Sequence, residues 1–182
     1  MVSDPRAARP AVFLDRDGVV VIPEFRDGRS FAPTTLEALE FYDSAAHHLN
    51  RLREAGYLLV IVTNQPDVSR GIIPHEVLCE MHRRLDAELR PDLILACIHD
   101  NQDQCGCRKP KPGMLLDAAA RLNIDLAASV MVGDRTSDVE AGRAAGCRTV
   151  FIDLDYRDPK PANANFLVRS LGEAVDTILR TA

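Results

Sequence analysis

Asp15 and Asp17 stand two residues apart directly after an apolar run, Ala11-Val12-Phe13-Leu14, and Gly18 follows them. In extended chain, residues two apart project to the same side. Both carboxylates can therefore address one ligand, and Gly18 lets the backbone turn sharply beside it. Acids paired in this way suit a divalent cation and a division of labour in which one attacks and the other moves a proton. Three later stretches supply what such a pair needs. Thr63-Asn64-Gln65 closes a second apolar run, Tyr57-Leu58-Leu59-Val60-Ile61-Val62. Arg108-Lys109-Pro110-Lys111-Pro112-Gly113 brings cations just ahead of a helix expected from Pro112. Gly133-Asp134-Arg135 ends a third run, Ser129-Val130-Met131-Val132, with Asp138 close behind. An acid pair, a hydroxyl, a lysine and a third carboxylate make up the equipment of metal-assisted phosphoryl transfer. Arg108, Lys109, Lys111 and Arg135 are the basic residues expected to serve a phosphate. Arg16, between the two acids, is expected to point to the opposite side and stay outside the chemistry.

A second cluster joins Cys97-Ile98-His99 to Cys105-Gly106-Cys107. Three thiols and an imidazole in the segment 97–107 match a Cys3His tetrahedral zinc site. All four positions are filled by protein, which marks the zinc as structural. Cys107 runs straight into Arg108 and Lys109, so zinc would fix the loop that delivers those cations. The competing reading, a disulfide, suits neither the close spacing of Cys105 and Cys107 nor the intracellular setting expected for an acidic chain without a signal sequence. Cys79, Cys147 and the histidines at 47, 48, 75 and 82 lack spaced metal partners and are expected to pack in helices or the core.

These residues must be positioned by an alternation of strands and helices. The pattern predicts helices from Asp43-Ser44 to about Ala55, from Pro74 through Leu89, from Pro112 to Leu122, from Ser137 to Ala145, and a last amphipathic one bearing Leu171, Val175, Ile178 and Leu179. Strands are expected at the three apolar runs, at Leu93 to Ile98, at Arg148 to Ile152 and at Phe166-Leu167-Val168. Such alternation implies an α/β fold: a Rossmann-like, doubly wound parallel sheet with helices on both faces. Each chemical motif falls at the carboxyl end of a strand or the start of a helix, where open α/β sheets collect ligands. The intervals 18–62 and 64–108 are largely used by their connecting elements, so no large cap domain fits; the segment Val20 to Phe31 and the zinc loop are the expected closures. One domain over 1–182 is expected, with residues 1–9 a frayed leader.

With its motifs in this order, the chain from about residue 11 to 152 resembles the haloacid dehalogenase-like (HAD) phosphatase superfamily. The resemblance implies that Asp15 attacks phosphorus and carries an aspartyl phosphate, and that Asp17 protonates the leaving oxygen and then activates water. It implies that Thr63 and Lys109 hold the phosphoryl oxygens, and that magnesium is bound by Asp15, Asp134 and the Asp17 backbone carbonyl. Hard oxygen ligands of this kind suit magnesium. The Cys-x-His…Cys-x-Cys loop running into Arg-Lys-Pro narrows the resemblance to the branch of heptose-bisphosphate and histidinol-phosphate phosphatases. That branch implies substrate contacts from Asn64, Gln65, Arg108 and Arg135, and Asp138 as a partner of Lys109. Val68-Ser69-Arg70-Gly71 is similar to the heptose enzymes, whereas the short stretch between His99 and Cys105 is similar to the histidinol enzymes.

The chain has 182 residues, 46% of them hydrophobic, and a net charge of −5, with no overall basic character to draw it to nucleic acid. No apolar run is long enough to span a bilayer, so a cytoplasmic enzyme working away from membranes, as a monomer, is expected. The leading expectation is a magnesium-dependent phosphatase removing the 7-phosphate of a D-glycero-D-manno-heptose 1,7-bisphosphate. Histidinol phosphate is the alternative substrate: its amine wants a carboxylate, for which Asp67 is placed, whereas a second phosphate wants Arg70 or Arg135. A non-catalytic, zinc-ordered binding module is the third reading, and the presence of every acid and lysine named above weighs against it.

Overall fold

The computed structural model describes residues 7–181. In chain order its main elements are β1 (Ala11–Leu14), β2 (Glu24–Arg26), β3 (Arg29–Phe31), α1 (Ala45–Glu54), β4 (Leu58–Asn64), α2 (His75–Leu89), β5 (Leu93–Cys97), α3 (Gly113–Leu122), β6 (Val130–Gly133), α4 (Thr136–Ala145), β7 (Arg148–Ile152), β8 (Phe166–Val168) and α5 (Leu171–Arg180). Six strands form one parallel sheet in the order β5-β4-β1-β6-β7-β8. The chain winds outward from β1 through β4 to β5, then returns to β6 on the other side of β1. Winding therefore reverses at β1, and its carboxyl end opens on the crevice where doubly wound sheets bind ligands.

Strand alternation divides the core in two. Val12 and Leu14 of β1 join Leu59, Ile61, Val130, Val132, Val150 and Ile152 on one face, packed by Leu49 and Leu52 of α1, Met81 and Leu85 of α2, and Val175 and Ile178 of α5. Ala11 and Phe13 join Leu58, Val60, Val62 and Met131 on the other, under Met114, Leu115 and Ala118 of α3 and Ala141 of α4. Both faces of β1 are wholly buried, so its run is continuously apolar rather than alternating. Each large apolar side chain removed from water contributes about 1.5–3 kcal/mol, which fixes β1, and with it the position of Asp15.

Two expectations need correction. The segment from Val20 to Phe31 is not simple loop: β2 and β3 pair antiparallel across Asp27-Gly28, whose φ angles of 52° and 76° give the turn that matches strand twist. The Asp-Gly pair was the available signal. The frayed leader expected over 1–9 does not extend to Arg9. Residues 1–6 lie outside the described residues, but Arg9 is held, its amide donating to Asn123 O at 3.1 Å and its carbonyl accepting from Asp125 N at 2.9 Å. No helix among the described residues is long and apolar enough to cross a membrane.

Candidate active site

Four backbone segments meet at the carboxyl ends of β1, β4 and β6. Asp15 leaves β1 with its amide still bonded to Val132 O of β6 at 3.0 Å. Its Oδ1 accepts from Arg16 N at 2.8 Å and lies 2.9 Å from Lys109 Nζ. Gly18, at φ 87°, is the reason the loop can close here: a Cβ on it would stand 2.2 Å from Asp134 Oδ2. Lys109 is buried, and its ammonium is fully engaged, by Asp138 Oδ1 at 2.6 Å, Val62 O at 2.8 Å and Asp15. Burial works against the charged lysine, but Asp138 and then Asp15 outweigh it and raise its pKa. Asp138 spends its other oxygen on Arg135 N, 3.0 Å away, so it caps α4 and holds Lys109 at once.

Asp134 is buried and neither of its carboxylate oxygens has a hydrogen-bond partner. Burial, reinforced by Asp15 and Asp138, holds its carboxyl well above the usual range. Asp15, Asp134 and Asp138 each offer an oxygen within 4.8 Å of the others. Three acids gather here around Lys109, with Arg135 Nε no nearer than 3.9 Å to Asp134 Oδ2, and the two oxygens of Asp134 face the shortage of positive charge. The donor set is all hard oxygen, so the residues fit a divalent cation of the magnesium type.

Asp17 is bound from two sides, by Arg16 Nε at 3.0 and 3.1 Å and by Gln65 Nε2 at 2.8 Å. Burial holds its carboxyl above the ordinary value against the pull of Arg16. Arg16 is thus not turned away from the chemistry; it is fully buried and ion-paired with the second acid. Gln65 also donates to Thr63 Oγ1 at 2.8 Å, and both residues are buried beneath the pocket rather than lining it. Asn64 lines the pocket, yet its amide is spent on the Lys109 backbone, accepting from N at 3.1 Å and donating to O at 3.0 Å. In this arrangement Gln65 and Asn64 brace neighbouring groups.

The pocket above these residues has a volume of about 260 Å³, with Asp15, Asp17 and Lys109 at its base. Arg70 and Arg108 stand on one wall and Ser30, Phe31 and Arg135 on the other. Arg108 is steadied by Asn101 Oδ1 at 2.8 Å and His99 O at 3.2 Å. Arg70 pairs with Asp100 at 2.8 Å and with Asp67 at 3.2 Å. Arg135 is held by Asp158, by Ser30 O at 2.9 Å and by the Tyr156 ring, whose centroid lies 4.8 Å away. Lys111 departs from its expected role: it points to Gln104 O and Cys105 O, at 3.1 and 2.6 Å, and ties the cysteine loop together. Sequence reasoning missed Ser30, Tyr156 and Asp158; the last two sit in a polar connection that carries no periodic signal.

Beside Arg108, Cys97, His99, Cys105 and Cys107 bring one donor atom each within 4.8 Å of the others. Cys97 Sγ lies 3.2 Å from Cys107 Sγ and 3.6 Å from Cys105 Sγ, and His99 Nδ1 lies 3.3 Å from Cys107 Sγ. Tetrahedral zinc with bonds of about 2.3 Å sets its sulfurs about 3.8 Å apart, so the cluster fits that ion with little movement.

Comparison with known proteins agrees with this geometry. Residues 106–174 match the HAD-hydrolase-like family model. A D-glycero-β-D-manno-heptose-1,7-bisphosphate 7-phosphatase from Vibrio cholerae is 36% identical over 94% of this chain and 91% of its own length. The enzyme of the same name from Photorhabdus laumondii is 35% identical over 90% of this chain and 92% of its own. Among solved structures, the D,D-heptose 1,7-bisphosphate phosphatase of B. bronchiseptica, complexed with magnesium and phosphate, superposes with a TM-score of 0.79 at 28% identity, covering 95% of this chain and 99% of that one.

Proposed function

This chain belongs to the HAD-like phosphatases, the family of its heptose-bisphosphate relatives, and from that premise we propose that it removes the 7-phosphate of D-glycero-β-D-manno-heptose 1,7-bisphosphate. The observation that carries the reading is the convergence of Asp15, Asp17 and Lys109 on one crevice at the switch point of the sheet, with Asp134 buried against Asp15. The names of the curated relatives support the sugar and its β anomer.

In this mechanism an Asp15 oxygen attacks phosphorus while the bond from phosphorus to the sugar oxygen breaks. Its electron pair passes to the sugar oxygen, which takes the Asp17 proton. Asp15 then carries the phosphoryl group, and Asp17, now a carboxylate, draws a proton from water as that water attacks phosphorus. Phosphate leaves and Asp15 is restored. Lys109 neutralises the nucleophile so that a carboxylate can approach a phosphate dianion. Thr63 lies beneath the pocket with Gln65 on its hydroxyl, and in the same reading it turns that hydroxyl to the phosphoryl oxygens when substrate binds. A magnesium ion held by Asp15, Asp134 and the Asp17 carbonyl would supply the remaining positive charge as the phosphoryl group moves.

Arg70, Arg108 and Arg135 surround the mouth and suit a second phosphate. Asp67, the carboxylate that an amine substrate would need, and Arg70 are paired with each other, whereas Arg108 is steadied by neutral groups and keeps its charge for a phosphate, which favours the bisphosphate over histidinol phosphate. Zinc on Cys97, His99, Cys105 and Cys107 is read as structural, steadying the loop that ends in Arg108 and Lys109. A single-domain monomer is part of the same reading. The test is phosphate release with magnesium from both anomers of the heptose bisphosphate and from histidinol phosphate, with Asp15→Asn as the blank. Preferred turnover of the β-heptose bisphosphate is expected. Preference for histidinol phosphate would overturn the substrate, and activity surviving in Asp15→Asn would overturn the mechanism.

A further inference from the structure

Arg16 is 0% exposed and sits under α2. A guanidinium taken out of water is costly unless its five donors find acceptors, and these donors are poorly served. Nε reaches both Asp17 oxygens, at 3.0 and 3.1 Å. Nη2 lies 3.0 Å from Asp17 Oδ1 but makes no well-directed hydrogen bond. Nη1 meets only the Met81 sulfur, at 4.0 Å. Beside it on α2, burial and then Arg16 hold the His82 imidazole down to about 4, so this neighbour adds no charge to answer the arginine. Among the described residues, Asp17 is the one carboxylate ion-paired with Arg16. A side chain needed only to fill the space beneath α2 would be apolar, as its neighbours Leu78, Met81 and Leu85 are.

We propose that Arg16 is a positioning residue for proton transfer: it aims the Asp17 carboxyl at the leaving oxygen and takes up the negative charge left on Asp17 when the proton departs. The inference rests on Asp17 being the general acid. Arg16 and Gln65 approach Asp17 together, and the part of the carboxyl left free, with 16% of the side chain exposed, is the part that faces the pocket. As the bond from phosphorus to the sugar oxygen breaks, that oxygen accepts the proton and Asp17 becomes a carboxylate. The guanidinium beside it remains charged throughout and requires no reorganisation, the condition under which fixed charges are most effective in catalysis. The contribution matters only where the leaving oxygen needs a proton. A sugar alkoxide does; the p-nitrophenolate ion departs without one.

The experiment therefore compares two leaving groups. Turnover of the heptose bisphosphate and of p-nitrophenyl phosphate is measured for the wild type, Arg16→Met, Arg16→Lys and Asp17→Asn, with the melting temperature of each. General acid catalysis is worth about 10²–10⁴-fold. Arg16→Met is expected to lower the ratio of kcat/KM on the sugar phosphate to kcat/KM on the phenyl phosphate, which ends at leaving-group departure and so excludes the shared hydrolysis, by about 10–100-fold, less than the full general-acid contribution because Asp17 itself remains. Arg16→Lys, which keeps the charge but loses the planar fork, is expected to recover part of the ratio. An unchanged ratio in the arginine variants, whatever the loss of stability, would overturn the inference. Should Arg16→Met fail to fold, the ratio in Arg16→Lys decides alone: lowered supports, unchanged overturns. Asp17→Asn separates the two levels. If it leaves the ratio unchanged, the general-acid reading itself fails. If it lowers the ratio while the arginine variants do not, only the role of Arg16 fails.

Discussion

Asp134→Asn should make the metal-free protein more stable and, at the same time, deaf to magnesium. The structure sets both signs. Asp134 is buried among Asp15 and Asp138 with neither oxygen hydrogen-bonded. Burial, then those two neighbours, raise its carboxyl well above the ordinary carboxylate value. A raised acid contributes stability while it stays protonated and loses that contribution as pH rises through its folded-state pKa. Near neutral pH the wild type therefore bears the cost of a buried charge, or of the proton that must be found for it. Asparagine has the same shape and no charge. The substitution removes the added cost of a buried charge and gives the neighbouring carboxylates an amide donor, so Asp134→Asn should gain about 1–3 kcal/mol. At about 2–4 °C per kcal/mol for a chain of this size, the melting temperature in chelator should rise by about 2–12 °C. The gain should shrink as pH falls towards the ordinary carboxylate range, where both proteins are neutral at 134. Magnesium should reverse the order. At a hundredfold excess over its dissociation constant it adds about 2.7 kcal/mol to a protein that binds it only when folded, and the variant forfeits this. Calorimetric melting with chelator and with magnesium, at several pH values, measures all of it. A metal-free variant no more stable than the wild type, or one that still responds to magnesium in full, would refute the reasoning.

The remaining predictions concern the loop that ends in Lys109. Lys109→Ala removes the cation that pairs with both Asp15 and Asp138, so kcat should fall by about 10²–10³-fold or more while far-ultraviolet circular dichroism still reports a folded chain; near-normal turnover would remove the lysine from the chemistry. Cys105→Ser should reduce the zinc content found by elemental analysis and lower activity through displacement of Arg108 and Lys109, and a wild-type protein purified without zinc would end that argument.

Much of this site was legible because its motifs obey local rules. Three continuous apolar runs mark strands buried on both faces, and the residues just beyond them hold Asp15, Thr63 and Asp134. A parallel sheet wound outward from β1 must bring those three ends together, so the order of elements alone determines that they meet. The cysteine and histidine spacing was equally plain, since ligands to one ion in a short loop need no long-range contact to be seen. What the sequence concealed came from afar. Tyr156 and Asp158 reach Arg135 from an irregular connection, and Ser30 reaches it from the second strand of a hairpin. Those contacts depend on tertiary packing, which leaves no period in the chain.

Arg16 was misread for a different reason, and the error is informative. The argument that it points away from Asp15 and Asp17 assumed that extended chain continues past Leu14. It does not: β1 stops at Leu14, and the Arg16 carbonyl accepts from Val20 N at 3.0 Å and Val21 N at 2.9 Å, bending the backbone into a tight loop. Once the chain turns, period-two alternation has no force, and the arginine folds back under its own neighbour. The same turn lets Gly18 approach Asp134. One local event, the collapse of extended geometry directly after the first acid, thus places the arginine against the second acid and brings the loop to the third. A sequence rule built for strands fails where the strand ends, and in an open α/β sheet that is where the chemistry begins.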